Sequence, residues 1–508
     1  MGAPDRPAAQ RGGPTLDDLF RRAVAARPDA PALVDPPDRE SFTDGAPRRL
    51  TWTEADRVVS GIANLLKSLG LPAGTIVALQ LPNVAEGVLA LMGVLRAGLI
   101  AAPLPLLWRQ ADAGPALGQV GARALICCRR VGTVDHGELA MHVAADTFAI
   151  RFVCGFGDPL PDGIIPLDEV FDPALLAPPP PLDCIDAPDA HVAIVTFEVT
   201  AAGLLPVARS HRELLAAGTT VAGAAGIAAG ATLLGTVMTA SFAGMGTTVV
   251  PWLMCGGTLR LHQPFNPAAL AGQPCDMAVL PGPLLPRVIE AGLLGSPAPA
   301  AILAVWRAPE RLAAVAALPG GGSRVIDVPV FGEIGLIALR RGGDGMPAPL
   351  PATQASGPRA ASTGAVELVR TAAGTLAVRG AMVPAHPFPP GAERGDALRL
   401  KIDDDGFVDT FFPCHVERES QKLVIDGPPA GLVSVGGYRF ALRGLHDLVA
   451  PIDEAGSVAA LPDALAGHRL AGVGDDRDAI RDKLADRGAN PLVVGAFRDK
   501  RPGRASAA

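Results

Sequence analysis

The sequence predicts an α/β protein with mostly parallel sheets and a second, smaller α+β domain at its C-terminal end. Short apolar strands alternate with amphipathic helices in the first part of the chain, which is typical of βαβ units. The alternation resumes after a proline run at residues 178–181, interpreted as a connector, and continues to about residue 339. The sequence pattern from residue 427 onward indicates a separate folding unit. We therefore expect a large domain over 1–426 and a small one over 427–508.

The composition limits the classes of function. With 508 residues, 49% of them hydrophobic and 19% charged, the chain is long enough for more than one buried core. A net charge of −7 argues against a nucleic-acid-binding protein. The seven cysteines have no CxxC spacing, which favours buried thiols over a metal site or disulfides. The N-terminal residues contain no apolar core typical of a secretion signal, so we expect a cytoplasmic protein.

Capping residues and apolar spacing define the first elements in order. The predicted elements are a helix capped by Thr15, a strand at Leu50–Thr53, a helix over Glu54–Leu69, a strand over Ile76–Leu81, a helix capped by Asn83 over Val84–Ala97, and a strand over Leu99–Leu104.

No charged residue occurs between Glu213 and Arg260. The stretch is long enough for a membrane span, which needs about 20 apolar residues. Gly, Ala and Thr residues and Pro251 divide it, however, into a helix over 214–227, a strand over 232–238, a helix over 245–254 and a strand over 258–261. Buried α/β packing explains this pattern better, and we expect no transmembrane segment.

The segment from Thr196 to His211 has the arrangement of a phosphate-binding loop. An apolar strand over 191–196 precedes a turn of small residues and then a helical pattern. This order directs backbone N–H groups and a helix N-terminus at phosphate oxygens. The turn has one glycine, Gly203, and no lysine, and its acid Glu198 would repel phosphate. The sequence therefore predicts the backbone arrangement of a phosphate site without most of the residues that would bind phosphate.

Several segments resemble one family in the same order along the chain. They are LTWTEADRVVSGIANLL (50–66), PWLMCGGTLRL (251–261), LAVRGAMV (376–383), DDDGF (403–407), LVSVGGYRF (432–440) and VAALPDALAGHRLAGV (458–473). The chain resembles the adenylate-forming acyl-CoA synthetases, a superfamily that includes peptide-synthetase adenylation domains and luciferases. The resemblance implies the adenylate-forming ligase fold: two α/β subdomains, a β-barrel-like subdomain and a small mobile α+β C-terminal domain.

The resemblance also implies a reaction and its cofactors. ATP and Mg²⁺ would convert a small fatty or aryl carboxylic acid into an acyl-adenylate. A thiol, from coenzyme A or the phosphopantetheine of an acyl carrier protein, would then accept the acyl group. Glu333 stands at the family's magnesium-binding glutamate, and Arg504 stands at its catalytic lysine.

The implied nucleotide site departs from the family pattern. Its candidate residues are Thr200, Gly203, Arg209, Ala308, Pro309 and the ribose-binding Asp396. Glu198 and Leu205 replace the family's serine and lysine, and each lost charge-assisted hydrogen bond costs about 1.5–3 kcal/mol. Arg209 is the nearest substitute cation, with a solvated position at the helix start as the alternative.

Two further groups of residues follow from the resemblance. Ser241, Phe242, Gly244 and Trp306 would line the acyl pocket, and Gly436, Gly437 and Arg439 would line the thiol tunnel. Trp306 and Arg307 replace two glycines of the family, so they would fill the nucleotide pocket or stack on another ligand.

Three hypotheses for function remain open at this point. The first is an ATP-dependent acid–thiol ligase. The second is a pseudo-enzyme or an acyl- or carrier-protein-binding module that no longer uses ATP. The third keeps an acyl or carrier-protein pocket but performs transfer or presentation without ATP.

Overall fold

A computed structural model of the protein describes residues 12–174, 178–180, 187–263, 266–295, 297–318, 322–351, 366–391, 398–420 and 422–498. The described chain forms two large, mainly parallel sheets, a five-stranded antiparallel sheet and a four-stranded sheet near the C-terminal end. The predicted α/β fold class is confirmed.

The first elements agree with their predicted order. The helices are α1 (Leu16–Ala26), α2 (Trp52–Ser68), α3 (Ala85–Arg96), α4 (Gln110–Val120) and α5 (His136–Asp146). The strands are β1 (Pro31–Val34), β2 (Arg49–Thr51), β3 (Ile76–Gln80), β4 (Ile100–Pro103), β5 (Ala124–Cys128), β6 (Arg130–Val131), β7 (Val134–Asp135), β8 (Phe152–Phe156) and β9 (Ile164–Pro166). Thr15 caps α1 as predicted. Asn83 does not cap α3, because its amide donates instead to the carbonyl oxygens of Gly235 and His262.

The middle of the chain continues the alternation. Its strands are β10 (Val192–Thr200), β11 (Gly203–Ser210), β12 (Thr232–Gly235), β13 (Thr258–Leu261), β14 (Met277–Pro281), β15 (Ala301–Trp306), β16 (Arg324–Phe331), β17 (Gly335–Leu336) and β18 (Leu339–Arg340). Its helices are α6 (His211–Ala225), α7 (Phe242–Gly244), α8 (Val250–Cys255), α9 (Pro267–Leu270) and α10 (Leu285–Glu290), with a π-helical segment at Met245–Val249. The uncharged stretch therefore folds as α/β structure. No described helix has the length and apolar character needed to cross a membrane.

The two large sheets are parallel in their centres. The seven-stranded sheet has the order β11-β10-β4-β3-β5-β8-β9, and its antiparallel pair is β10 and β11. The nine-stranded sheet has the order β17-β16-β15-β14-β12-β13-β1-β2, with β18 also paired to β16. The central strands are apolar along their length because parallel sheets are covered on both faces.

An aromatic cluster joins three helices of the large core. The indoles of Trp52 in α2 and Trp252 in α8 stack with ring centroids 4.9 Å apart. The ring of Phe20 in α1 meets Trp52 edge-on at 5.2 Å. All three side chains are fully buried, so this cluster fixes α1 against the rest of the large core.

The last elements form two antiparallel sheets. The five-stranded sheet contains β19 (Leu350–Pro351), β20 (Glu367–Arg370), β21 (Thr375–Arg379), β22 (Val408–Val416) and β23 (Lys422–Ile425). The final elements are β24 (Leu432–Val435), β25 (Tyr438–Ala441), β26 (Ser457–Asp463), β27 (Gly467–Val473), α11 (Leu442–Val449), α12 (Arg477–Asp486) and α13 (Pro491–Val494). Residues 432–498, named the C-terminal unit below, have their own hydrophobic cluster around Leu445, Leu484 and Phe497. A domain boundary at residue 427 stays a prediction.

Candidate functional site

A cavity of about 390 Å³ lies between the two large sheets and the C-terminal unit. Its apolar wall includes Trp108, Phe197, Met238, Leu284 and Val305. Its charged side chains are Glu198, Arg307, Arg311, Glu333 and Arg439. The volume is within the range of small-molecule sites, which is about 300–1,000 Å³.

The predicted phosphate loop is a β-hairpin. Strands β10 and β11 continue to Thr200 and Gly203, and the exposed turn between them is Ala201-Ala202. The Thr200 hydroxyl donates to the Gly203 carbonyl oxygen at 2.7 Å, within the turn itself. Ser210 and Glu213 cap the first turn of α6 reciprocally, so that helix N-terminus satisfies its own N–H groups. Thr200 and Gly203 are not part of the cavity lining.

Arg209 is neither a phosphate-binding cation at the cavity nor a solvated residue. Its side chain is fully buried, and its guanidinium lies 3.6 Å from the ring centroid of Phe242. It donates to the Ile334 carbonyl oxygen at 2.8 Å. Burial lowers the pKa of Arg209 to about 10, although nearby acids including Glu213 oppose this effect. Position 209 lies in β11, one residue before the helix cap, which directs the side chain into the core.

Glu198 is bound on both of its carboxylate oxygens. Oε1 accepts a hydrogen bond from Nη1 of Arg439, in the C-terminal unit, and Oε2 accepts one from the Glu333 N–H. Both side chains of the Glu198–Arg439 ion pair are 9% exposed. The acid that should repel phosphate is therefore neutralised by a cation from a segment 241 residues away in sequence.

Glu333 does not fit its implied role as a magnesium ligand in this arrangement. Its Oε2 accepts the Phe242 N–H at 2.7 Å, and its Oε1 lies 3.2 Å from Nη2 of Arg307. Magnesium prefers free carboxylate oxygens and several bound waters. No group of three or more metal-binding side chains occurs in the described parts of the chain. The guanidinium of Arg307 thus occupies the position next to Glu333 that a cation would take.

Trp306, predicted to line the acyl pocket, does not line this cavity. Val305 and Arg307 face the cavity, and the residue between them in an extended strand points to the opposite face. The indole is buried in a separate apolar cluster, where it donates to Oδ1 of Asp327 at 2.9 Å. It packs directly on Gly282, where a Cβ atom would lie 2.3 Å from the indole.

The segment around Ser241 also lies behind the cavity wall. Ser241 caps α7 through the Gly244 N–H and is 2% exposed, and Phe242 is fully buried beneath Arg209. A Cβ atom at Gly244 would lie 1.9 Å from the Met238 carbonyl oxygen, so this glycine is needed for close packing. The preceding residues 236–238 and 240 form the wall instead.

The loop over residues 436–439 closes the cavity from the C-terminal unit. Gly437 has φ +88°, and a Cβ atom there would lie 3.4 Å from Cδ of Arg307. Tyr438 also lines the cavity, and burial raises the pKa of its phenol. Of the predicted thiol-tunnel residues, Arg439 thus pairs with Glu198, and Gly437 lies against the Arg307 side chain.

The cavity lining contains only part of the predicted site. It includes Glu333, Ala308, Gly436, Gly437 and Arg439, whereas Pro309 is buried outside it. Asp396 and Arg504 lie outside the described residues. Sequence reasoning missed the aromatic wall of Trp108 and Phe197, and it missed both ion pairs. The ion pairs could have been suspected from the charged residues at positions 198 and 307, where the family has serine and glycine.

Sequence comparisons match the first part of the chain. The family model of the AMP-binding enzymes matches residues 20–190. The human long-chain fatty acid transport protein 1 is 32% identical over 166 residues, which are 33% of this chain and 24% of that protein. A salicyl-AMP ligase / salicyl-S-ArCP synthetase of Mycobacterium tuberculosis is 31% identical over 156 residues, 31% of this chain and 27% of that protein. The chain thus spans about a quarter of the length of these curated relatives.

Structural comparisons match nearly the whole chain. NpsA-ThdA, an artificially fused adenylation-PCP di-domain from Klebsiella oxytoca, has a TM-score of 0.66 at 15% identity and covers 95% of this chain and 93% of its own. The apo structure of MbtA from Mycobacterium smegmatis has a TM-score of 0.61 at 21% identity, covering 96% and 90%. These likenesses show that the two α/β sheets, the antiparallel sheet and the C-terminal unit have the fold predicted from the sequence.

Proposed function

We propose that this chain, whose residues 20–190 match the family model of the AMP-binding enzymes, is a catalytically degenerate adenylate-forming enzyme. It binds a small carboxylic acid or acyl group in the cavity but does not activate it with ATP. The main support is that the two carboxylates of the cavity are already paired with guanidiniums. Glu198 binds Arg439, and Glu333 binds Arg307.

A triphosphate carries several negative charges, and each guanidinium of the described cavity lining already donates to a carboxylate or a carbonyl oxygen. Arg311 donates to the carbonyl oxygens of Leu465 and Ala464 at 2.9 Å and 2.5 Å. Binding ATP through Arg439 or Arg307 would leave a carboxylate beside the phosphates. Loss of one partner of a buried ion pair costs about 3–5 kcal/mol, comparable to the free energy of millimolar binding. ATP binding in the usual mode is therefore opposed by the protein's own charges.

The same cavity suits an apolar ligand with one anionic group. The rings of Trp108 and Phe197 lie 5.5 Å apart and, with Met238, supply an apolar surface. The Arg307 side chain is 38% exposed and, among the described residues, hydrogen-bonds Glu333 through Nη2 alone. Its Nη1, which has no hydrogen bond to a described residue, can donate to the carboxylate of a ligand.

The first experiment titrates the folded protein with ATP–Mg²⁺ in a calorimeter. We expect no binding heat at micromolar ATP for the wild type. The matched variant is Glu198→Ser with Leu205→Lys, which restores the family's residues at both positions. Micromolar ATP binding by the wild type, together with pyrophosphate release on adding an acid, would contradict the proposal.

The second experiment screens fatty and aryl carboxylic acids by thermal shift. For the acid that stabilises the protein most, we expect Arg307→Gln to weaken binding about tenfold or more because a charge-assisted contact is lost. Arg287→Gln, at an exposed position on α10, is the control and should bind like the wild type. Equal affinities for the two variants would show that Arg307 does not hold the ligand.

One observation favours the ATP-dependent acid–thiol ligase as a second candidate. Glu333, Ala308 and the loop over 436–439 border the same cavity. If the ion pairs exchange for substrate contacts, coenzyme A or a carrier phosphopantetheine would approach along this loop. Pyrophosphate release by the unmodified protein, followed by acyl transfer to either thiol, would establish this candidate.

A further inference from the structure

The C-terminal unit covers the cavity, and one buried ion pair joins it to the hairpin of β10 and β11. We propose that the Glu198–Arg439 pair is a latch that keeps the C-terminal unit docked over the cavity in the absence of any nucleotide. The latch concerns the position of this unit, so it holds or fails independently of whether ATP binds.

The acceptor side of the latch is held in place by the protein. Oε2 of Glu198 accepts the Glu333 N–H, which orients the carboxylate so that Oε1 faces Arg439. Position 332 must be glycine for this geometry, because a Cβ atom there would lie 2.1 Å from Oε2 of Glu198 and 3.0 Å from Nη1 of Arg439. The carboxylate is thus oriented by a backbone group outside the C-terminal unit.

The donor side is equally well defined. The Arg439 guanidinium lies 4.9 Å from the ring centroid of Phe412, which is in β22 of the five-stranded antiparallel sheet. Arg439 therefore contacts two segments outside its own unit, through charge and through its flat face. Both partners are nearly excluded from water, so the attraction between them is weakly screened by salt.

Hydrogen bonds to backbone carbonyl oxygens also support the docked position. Arg311 donates to the carbonyl oxygens of Leu465 and Ala464, and the Ala111 N–H donates to the Gly488 carbonyl oxygen at 3.1 Å. The Glu198–Arg439 pair lies at the cavity wall, on the loop by which the C-terminal unit borders the cavity. Under this proposal, breaking the pair makes opening of the cavity more frequent.

Hydrogen exchange of residues 432–441, followed by mass spectrometry, measures how often the unit opens. We expect Glu198→Gln to raise exchange in this segment about tenfold, because the buried guanidinium loses its counter-charge. Glu367→Gln is the matched control, since it removes a carboxylate bound to Arg379 at 2.7 Å within a single sheet. Wild-type exchange in the Glu198→Gln variant would overturn the latch.

A double-mutant cycle tests whether the two side chains act as one device. Arg439→Gln should raise exchange as much as Glu198→Gln does, and the double variant should exceed neither. Additive effects would overturn the proposal. If Glu198→Gln does not fold, Arg439→Gln and Arg439→Lys decide it: the latch requires faster exchange with glutamine than with lysine, and equal exchange contradicts it.

Discussion

Gly332 directly follows β16 and has no side chain. The Glu198 carboxylate occupies the space that a side chain there would fill. The residue has φ +61°, a conformation that favours glycine, and a Cβ atom would lie 2.1 Å from Oε2 of Glu198. The sequence shows Gly332 only as one small residue before Glu333. Its importance follows from an acid in a distant strand.

Substitution of Gly332 should therefore cost more than backbone strain alone. Gly70→Ala is the matched control, because Gly70 has φ +71° and no atom within 4 Å of an added Cβ. We expect Gly70→Ala to lower the free energy of unfolding by about 1–2 kcal/mol. Gly332→Ala should cost at least about 2 kcal/mol more, from displacement of the Glu198 ion pair. Equal losses in urea denaturation would contradict the crowding of Glu198.

His211 gives the protein a pH-dependent stability. It is the first residue of α6, and its Nδ1 accepts the Leu16 N–H at 3.2 Å. Burial lowers the pKa of His211 to about 4. The unfolded state, with a pKa of about 6.5, binds more protons between these values, so the free energy of unfolding falls as the pH drops through this window.

Between pH 7 and pH 5, this residue should contribute a loss of about 2 kcal/mol. His211→Gln removes the titrating group, so its free energy of unfolding should fall about 2 kcal/mol less over the same range. The exposed His142→Gln is the control and should keep the wild-type dependence. Parallel pH profiles of urea denaturation for His211→Gln and the wild type would disprove this assignment.

At the scale of elements, the strands and helices follow from local patterns, but the direction of individual side chains does not. Apolar spacing predicts a helix over 214–227, and the structure begins α6 three residues earlier, after the Ser210–Glu213 capping box. The hairpin of β10 and β11 was predicted as a strand and a turn, because its second strand contains Pro206 and small residues. In β15, two-residue periodicity places Val305 and Trp306 on opposite faces, and only sheet packing decides which face meets the cavity.

The two faces of β15 should separate stability from binding. Trp306→Phe removes the indole donor to Asp327, which also binds Arg341 at 2.7 Å, and should lower the free energy of unfolding by about 1.5–3 kcal/mol. Its affinity for the acid selected by thermal shift should not change. Val305→Phe, on the cavity side, should weaken binding in calorimetry. Weaker binding by Trp306→Phe would show that Trp306 contributes to the ligand site.

At the scale of the whole molecule, the C-terminal unit has its own core but shares the cavity. Its cluster around Leu445, Leu484 and Phe497 is separate from the cores beneath the large sheets. This separation supports a domain boundary near residue 427 as a proposal. The unit nevertheless supplies Arg439 and Tyr438 to the cavity wall.

Leu484→Ala tests whether the C-terminal unit unfolds separately. This fully buried side chain should contribute about 2–5 kcal/mol to the stability of its own core. We expect faster hydrogen exchange across residues 432–497 and no change in α2 or β3. Leu303→Ala, in the buried strand β15, is the control and should leave the C-terminal unit's own exchange unchanged. Uniform acceleration over the whole chain would show a single cooperative unit.

The sequence by itself determined the alternation of strands and helices, the cap at Thr15, and the order of segments that resembles the adenylate-forming enzymes. These features depend on neighbours a few residues apart, whose spacing is written directly in the chain. Only the tertiary structure decided that Glu198 meets Arg439, that Arg307 meets Glu333, and that Trp306 points away from the cavity. Ion pairing and burial depend on which distant segments pack together, and no local pattern specifies that.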